Sequence, residues 1–222
     1  METNLFFKNR PTTEIARDLL GRTLSFNDGN EILSGTIVET EAYLGQKDRA
    51  AHSYNGRRSQ ANEGLYRTGG TLYIYSQRQY FFFDVATQEE NVPEGVLIRA
   101  IDPISGIKTM ERNRNHKTGI LLTNGPAKMM QAFGIDSRKW DLHSLAQSPF
   151  DIDLTHKKSI EEIKAVPRVG INQSDPYWAQ KELRYIVAGN PYVSDMKKKD
   201  FKKNHGFYWQ KIKNHLIFSS VK

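Results

Sequence analysis

The sequence predicts a single α+β domain, and three observations support this fold class. Strand-like segments outnumber helical ones, and they do not alternate with helices as they would in a doubly wound parallel sheet. No internal repeat or low-complexity linker divides the chain, and its 222 residues suit one domain of ordinary size. With 38% hydrophobic and 11% aromatic residues, the chain can fill a substantial core.

The first third of the chain predicts one helix, two strands and a loop. A threonine begins the helix, its apolar residues recur at helical spacing, and Gly21 follows its end. The sequence Asn27-Asp28-Gly29-Asn30 is typical of a tight turn between two strands. The predicted elements are a helix over 12–20, a strand over 23–26, a strand over 32–43 and a loop over 46–68.

The rest of the chain predicts further strands and two basic or amphipathic helices. Aromatic segments flank the polar tip 76–79, which indicates a hairpin, and Asp102-Pro103 is expected to end the strand that follows. Residues 135–165 are polar and poorly periodic. The predicted elements are strands over 71–75, 80–87, 95–101, 166–171 and 183–187, and helices over 107–114 and 128–133.

Composition excludes several classes of function. The chain has no cysteine, so disulfides, thiolate nucleophiles and cysteine-ligated metals are excluded. Its six histidines are not paired at metal-ligand spacing, and we expect neither a metal nor a cofactor. No apolar run is long enough to span a membrane, and the N-terminus lacks the pattern of a signal peptide. We therefore expect a soluble, cytoplasmic protein that does not bind membranes.

The net charge of +7 is concentrated at the C-terminal end. From Asp195 to Lys222 the chain has eight lysines and two aspartates, a net charge of +6, interleaved with aromatic residues. Such a segment can neutralise phosphates without reading a base sequence, although many lysine-rich termini are only solvated. We therefore divide the chain into a domain over 1–195 and a basic, aromatic extension over 196–222.

The segment 37–45 (IVETEAYLG) is the most informative motif. In a strand, alternate side chains share a face, so Ile37, Glu39, Glu41 and Tyr43 are predicted to lie on one side. Two carboxylates and a phenol among apolar residues cost desolvation energy unless they have a role there. A half-exposed strand is the plain alternative, but His52 follows closely and an aromatic strand comes later.

A site formed by Glu41, Tyr43, His52, Tyr75 and Arg99 would have a definable chemistry. A carboxylate within reach of water can act as a general base, and an arginine can orient the carboxylate or hold a phosphate. The aromatic rings can stack against a planar ring. Together with the basic tail, this combination indicates hydrolysis at a flat heterocycle carried by nucleic acid.

Seven blocks of the sequence resemble the alkyladenine (3-methyladenine) DNA glycosylases of the mammalian and Bacillus type. The resemblance runs from about Thr13 to Ser194. The blocks are ARDLLG at 16–21, GTIVETEAYLG at 35–45, DRAAHS at 48–53, GTLYIY at 70–75, VLIRAIDP at 96–103, TNGPAK at 123–128 and PRVGI at 167–171. The family implies a curved, mostly antiparallel sheet with peripheral helices, like the C-terminal domain of formyltransferases.

The resemblance also implies a role for each matching residue. Glu41 would activate water, with Arg99 helping to hold that water. Tyr43 and His52 would stack on the two faces of an extruded base, and Tyr75 would close the pocket. Arg78 would fill the hole left by the flipped nucleotide. The segments 124–128 and 168–171 would line the DNA-contact surface, with contacts from Asn124, Gly125, Lys128 and Arg168.

Two positions depart from the family pattern. The family usually has tyrosine or histidine where this chain has Arg78, and arginine can also stack on bases. Asp84 stands where relatives usually carry asparagine, in the floor of the pocket. A negative Asp84 would favour cationic lesions such as 3-methyladenine over neutral ones such as hypoxanthine. A second acid near Glu41 would also raise the pKa of one of the two. The plain alternative is that Asp84 only forms hydrogen bonds at the end of its strand.

The implied function is a monofunctional DNA glycosylase. It would flip alkylated purines out of duplex DNA, hydrolyse the N-glycosidic bond and leave an abasic site for base excision repair. We expect a bacterial, nucleoid-associated monomer whose partner is double-stranded DNA with damaged purines. Two alternatives remain open: a lesion-binding protein with little turnover, and a hydrolase of free nucleosides.

Overall fold

The computed structural model describes residues 3–208, which form one antiparallel sheet with short helices around it. The strands of this part of the chain are β1 Thr23–Asn27, β2 Ile32–Tyr43, β3 Leu72–Gln77, β4 Tyr80–Thr87, β5 Glu94–Ser105, β6 Phe150–Ile152, β7 Ile163–Val166 and β8 Arg184–Val187. Its α-helices are α1 Thr3–Phe6, α2 Thr12–Leu19, α3 Ile107–Asn113, α4 Pro126–Ala132 and α5 Pro176–Gln180. The α+β class is thereby confirmed.

The strands follow the order β3-β4-β5-β2-β1-β6, and every pairing within residues 3–208 is antiparallel. Strand β2 is the centre of the sheet. Its first half pairs with β1, and Glu39–Glu41 pair instead with β8, which in turn pairs with β7. Register shifts between β2 and β5 at Ile37–Thr40 bend both strands, which curls the sheet.

The two faces of the sheet have different characters. One face packs against α2 and α4 and forms the main core, to which β3, β4 and β5 contribute buried apolar side chains at alternate positions. Thr40 faces the same side, where its hydroxyl donates to the Ala16 carbonyl. The alternate residues of these strands, which include Glu41, Asp84 and Tyr73, lie on the opposite face. The prediction that Ile37 shares a face with Glu39 is wrong, because the register shift interrupts the alternation and both Ile37 and Val38 belong to the main core.

Most predicted elements are confirmed within a few residues, and two boundaries are wrong. Strand β5 does not stop at Asp102 but continues to Ser105, because Pro103 pairs with Gly35 at a register shift, where the missing N–H is tolerated. The strand expected over 166–171 ends at Val166 instead, since Pro167 follows and Gly170 has a positive φ of 77°. Strand β6 and helices α1 and α5 were not predicted.

The described part of the C-terminal segment packs against the domain. Phe207 is buried in the main core and forms a bridge with Ile160, and Lys202 pairs with Glu161 at 2.9 Å. The three lysines 197–199 are exposed. The rest of the predicted extension, residues 209–222, lies outside the described residues.

Candidate active site

Four adjacent strands bring the two central carboxyl groups into one row. Glu41 of β2 stands opposite Leu97 of β5, Leu97 opposite Asp84 of β4, and Asp84 opposite Tyr73 of β3. Directly opposite residues of antiparallel strands project from the same face of the sheet. The row therefore places Glu41, Asp84 and the Tyr73 phenol together on the face away from the main core.

Glu41 is fully buried and is held by three donors. Its Oε1 accepts from the backbone N–H of Val169 at 2.8 Å and lies 3.2 Å from Arg99 Nη1. Its Oε2 accepts from the Tyr43 hydroxyl at 2.9 Å. The carboxylate is thus oriented by a strand, a loop and an arginine, and the Tyr43 hydroxyl covers the second oxygen.

Arg99 lies between two carboxylates. Its Nε donates to Glu39 at 2.8 Å, and Glu39 also accepts from the backbone N–H and hydroxyl of Ser194 and from Arg184. Burial raises the pKa of Glu39, but Arg99, Ser194 and Arg184 outweigh it and the net pKa is lowered. Burial acts against the charge of Arg99, but Glu41 and Glu39 keep its pKa above the ordinary value. Glu39 and Arg99 are therefore both charged.

Aromatic rings form a wall beside the carboxyl row. The Tyr75 ring is stacked between Tyr73 at 5.0 Å and Phe82 at 5.0 Å, and His52 meets it edge-on at 4.8 Å. His52 Nδ1 lies 2.8 Å from the Tyr73 hydroxyl. Burial, and secondarily Arg57, lowers the pKa of His52. His52 is consequently neutral at pH 7 and presents an uncharged ring at the mouth of the site.

Tyr43 has a cation on one face of its ring. The guanidinium carbon of Arg168 is 4.6 Å from the ring centroid. Burial raises the pKa of Tyr43 well above its usual value, and Glu41 and Asp84 add to this effect against the opposing charge of Arg168. The phenol therefore stays protonated and donates its hydrogen bond to Glu41.

Asp84 is buried, and its Oδ1 has no hydrogen-bond partner among the described residues. Burial raises the pKa of Asp84 well above its usual range, and the neighbouring Glu41 adds to the shift. The carboxyl group is accordingly harder to ionise than that of an ordinary aspartate. The raised pKa expected of two neighbouring acids is thus found for Asp84, and it opposes the negative charge on which the expected lesion preference depends.

The predicted DNA-contact residues lie in different places. Arg78 is exposed at the tip of the β3–β4 hairpin, with φ 50°, and the next residue Gln79 has φ 71°. Two consecutive positive φ values in a two-residue loop define a type I′ turn. Asn124 is half-buried, and its Oδ1 accepts from Lys128 at 2.8 Å across the start of α4, where Gly125 has φ 150°.

The structure contradicts the prediction for Arg168. Its side chain is fully buried and forms two hydrogen bonds with Asp48, at 2.6 and 2.9 Å, and a third with the Ala42 carbonyl. A side chain in this position cannot reach a phosphate. The prediction came from the resemblance to the family, and the sequence gives no sign that Arg168 is buried, because its partner Asp48 is 120 residues away.

Sequence reasoning missed several residues of the site. Tyr73 had a usable signal, because it precedes Tyr75 by two residues and so shares its face of the strand. Glu39 was noted, but its partners Arg184 and Ser194 carry no local signal. Asp48 and the backbone N–H of Val169 also carry no local signal. Only the fold brings Val169 to Glu41, and Asp48 to the arginine that covers Tyr43.

Two clefts open beside the carboxyl row. One, of ≈ 300 Å³, is lined by His52, Arg57, Tyr73, Tyr75 and Arg138 among others. The other, of ≈ 410 Å³, adjoins the loop after Val169 and is lined by Arg49, Tyr54, Gly170, Ile171 and Trp178 among others. Glu41 lines neither of these two clefts, and the Tyr43 hydroxyl covers its Oε2.

Two further properties bear on the class of protein. Residues 3–208 contain no group of three or more acidic or histidine side chains that could hold a metal ion. None of the helices in this range is long and apolar enough to cross a membrane.

The chain is similar to known proteins over most of its length. The profile of the methylpurine-DNA glycosylase family matches residues 6–191. A protein of Lactobacillus johnsonii named "Putative 3-methyladenine DNA glycosylase" is 77% identical over 202 residues, which cover 91% of this chain and 97% of the relative. Proteins with the same name are 69% identical in Lactobacillus acidophilus (91% and 97% covered) and 48% identical in Latilactobacillus sakei (91% and 95% covered).

These matches identify the protein as an enzyme that hydrolyses N-glycosyl bonds, and DNA is its substrate. The site fits this class, because the reaction needs a carboxylate near the sugar and flat surfaces for a base. The chain belongs to the methylpurine-DNA glycosylase family, and the resemblance seen in the sequence is thereby confirmed.

Proposed function

We propose that the protein removes alkylated purines, 3-methyladenine and related bases, from duplex DNA as a monomeric, monofunctional glycosylase. The proposal depends on one observation: the buried carboxylate of Glu41 is held by Arg99, Val169 and Tyr43 on a face of the sheet that also carries an aromatic wall. The names of the relatives support the choice of base. The likeness to the formyltransferase C-terminal domain, the nucleoid association and the repair of damaged purines in the bacterial cytoplasm remain predictions.

The proposed reaction begins with extrusion of the damaged nucleotide, which costs a few kcal/mol and least for a damaged base. The base enters between Tyr43 on one side and His52 with Tyr75 on the other. Its arrival displaces the Tyr43 hydroxyl from Glu41 Oε2, which opens that oxygen to water. Arg78, at the exposed hairpin tip, takes the space that the nucleotide leaves in the duplex.

The chemical step is hydrolysis by a water molecule. The N-glycosidic bond breaks with its electron pair passing to the base, and positive charge develops on the sugar, where the carboxylate of Glu41 stabilises it. Water adds to the anomeric carbon, and Glu41 accepts the proton that the water loses. No hydrogen bond or ion pair within residues 3–208 joins a lysine to Glu41, which supports a product with an intact strand and an abasic site over attack by an amine.

DNA contact is proposed for three groups of residues. Arg78 and the start of α4, with Asn124, Gly125 and Lys128, would border the bound strand. The exposed lysines 197–199 would add sequence-independent attraction to phosphates. Arg168 is not among these residues, because its side chain is buried against Asp48.

The test is release of methylated purine from alkylated duplex DNA by the purified full chain. Glu41→Gln keeps the size of the side chain and its acceptor oxygen but removes the base, so we expect release to fall by about 10²–10⁴-fold while lesion binding persists. Glu161→Gln, at a partly exposed ion pair with Lys202, is the matched control and should release at the wild-type rate. Substantial turnover by Glu41→Gln would reject the assignment.

The same assay separates the two alternatives. A lesion-binding protein would bind methylated duplex but release no base under single-turnover conditions. A nucleoside hydrolase would act on free methylated nucleosides, and undamaged duplex would not compete with them.

A further inference from the structure

We propose that the buried ion pair of Arg168 and Asp48 is a positioning device, which fixes the Tyr43 ring and the loop donor that together orient Glu41. This inference rests on the proposed function. It assigns a role in the reaction to two residues that never touch the substrate.

The pair has features that stability alone does not explain. Both side chains are fully buried and joined by two hydrogen bonds, at 2.6 and 2.9 Å. Burying two charges costs several kcal/mol per ion, and apolar replacements are often as stable or more so. Arg168 Nε has, in addition, no hydrogen-bond partner within residues 3–208. Because the pair adds little to the stability of the fold, we infer that its role is to hold neighbouring groups in position.

Arg168 reaches Glu41 by two routes. Its guanidinium covers one face of the Tyr43 ring, whose hydroxyl donates to Glu41 Oε2. The next residue, Val169, donates its backbone N–H to Glu41 Oε1. Because Arg168 Nη1 also donates to the Ala42 carbonyl, the guanidinium ties the loop 167–169 to the end of β2. Two of the three groups that hold Glu41 therefore depend on Arg168.

Asp48 extends the device to the other side of the pocket. Its carboxylate accepts from the backbone N–H of Leu44 and from that of Ala50, both at 3.0 Å. These bonds fix the loop that leads from Tyr43 to His52. One ion pair thus sets the relative positions of the two rings that are proposed to enclose the base.

The cation behind Tyr43 has a second consequence. A purine can stack only on the face of the ring that Arg168 leaves open. A cationic alkylated purine on that face meets the repulsion of the guanidinium through the ring, which the paired Asp48 carboxylate reduces, whereas a neutral purine meets no such repulsion. Arg168 therefore lowers the preference of the pocket for cationic bases, an effect that a purely structural residue would not have.

The first experiment compares Arg168→Lys with a matched control. Lysine keeps the positive charge but loses the planar, bidentate geometry. We expect the single-turnover rate of base release to fall by about 10²-fold, as for a displacement of about 1 Å, while affinity for lesion-containing duplex is retained. Arg22→Lys is the control, because Arg22 is also buried, pairs with Asp18 at 3.2 Å and lies 4.8 Å over the Phe6 ring.

The second experiment uses the neutral double variant Arg168→Gln/Asp48→Asn, which leaves no unpaired charge. We expect slower release from all substrates and a higher ratio of 3-methyladenine to hypoxanthine excision than in the wild type. Tyrosine ring resonances in NMR spectra, with Tyr43 identified by Tyr43→Phe, should shift in Arg168→Lys but not in Arg22→Lys. The NMR measurement does not depend on turnover.

The outcomes separate this inference from the proposed function. If the wild type releases no base, the proposed function fails, and an unshifted Tyr43 resonance in Arg168→Lys would then also overturn the positioning role. If the wild type is active and Arg168→Lys matches Arg22→Lys in rate, the positioning role is wrong. If Arg168→Lys does not fold, the rate of base release and the Tyr43 resonance of the double variant test the positioning role instead.

Discussion

Glu39 and Arg99 form a buried ion pair in which the Glu39 carboxylate lies 2.8 Å from Arg99 Nε and leaves Nη1 directed at Glu41. The two glutamates of the ETE motif thus have separate tasks. Glu39 holds Arg99 in place, and Arg99 in turn orients Glu41. The first prediction follows from this division.

Glu39→Gln should impair both stability and reaction. The substitution leaves the buried charge of Arg99 without one of its two carboxylates, and we expect the free energy of unfolding to fall by about 3 kcal/mol. Release of base should slow by about 10²-fold because Arg99 turns away from Glu41. Urea unfolding and single-turnover release measure the two effects. Glu63→Gln, at the partly exposed ion pair with Arg58, is the control, and it should lower the free energy of unfolding by less than about 1 kcal/mol.

Asp84→Asn should change the dependence of stability on pH. An unfolded aspartate loses its proton near pH 3.9, whereas burial and Glu41 keep folded Asp84 protonated to higher pH. Between these values the folded state binds more protons, so its stability falls as pH rises, by at most about 1.4 kcal/mol per pH unit. The free energy of unfolding of Asp84→Asn, relative to that of the wild type, should therefore increase from pH 4 towards pH 7. Urea unfolding across this range measures it, and parallel curves would contradict it.

Asp84→Asn should also leave lesion preference unchanged at pH 7. Burial and Glu41 favour the protonated form of Asp84, and a protonated carboxyl, like a carboxamide, is neutral and offers one donor group and one acceptor oxygen to a base. The ratio of 3-methyladenine to hypoxanthine excision should be the same in both proteins. A lower ratio in Asp84→Asn would show that Asp84 carries a negative charge when the base is bound.

Gln79→Gly should stabilise the hairpin. Left-handed backbone at a residue with a side chain costs about 1 kcal/mol, which glycine does not incur at φ 71°. Thermal unfolding should show a higher Tm. Gln77→Gly, in the neighbouring strand, has no such cost to relieve and should lower the Tm. A lower Tm for Gln79→Gly would mean that the turn is not of type I′.

Replacing Lys197, Lys198 and Lys199 with glutamine should weaken DNA binding at low salt and flatten its salt dependence. Each phosphate contact that is lost reduces the slope of log K against log salt by about 1. The three side chains are exposed, so folding should be unaffected. Titration of labelled duplex at several salt concentrations measures the slope, and Lys8, paired with Glu89 elsewhere on the surface, provides the control substitution. An unaltered slope would exclude these lysines from the interface.

Local patterns predicted most of the fold. The alternation along β3 and β4, the turn at Asn27–Asn30 and the glycine after α2 each act within a few residues, and these elements are found close to where they were expected. Elements that depend on distant partners were missed. Strand β6 has three residues and exists because it pairs with β1, and β5 passes through Pro103 because Gly35 lies opposite.

The site likewise contains residues that a local pattern predicts and residues whose role depends on distant partners. The ETEAY motif predicted Glu41 and Tyr43, and the structure places them in contact. It also brings Arg99 to Glu41 and His52 to Tyr75. The role of Arg168 was predicted wrongly, because whether an arginine is exposed or buried depends on a partner that only the folded chain supplies. The charge of Asp84 likewise depends on burial and on Glu41, neither of which a sequence displays.

The hairpin tip at Arg78 and Gln79 is already shaped before any duplex approaches. Its backbone entropy is lost when the chain folds, so meeting DNA requires no further ordering of these two residues. If Arg78 enters the duplex as proposed, a preformed tip of this kind could test one base pair after another without a further loss of backbone entropy, which suits an enzyme that must inspect a great length of sound DNA for each damaged base.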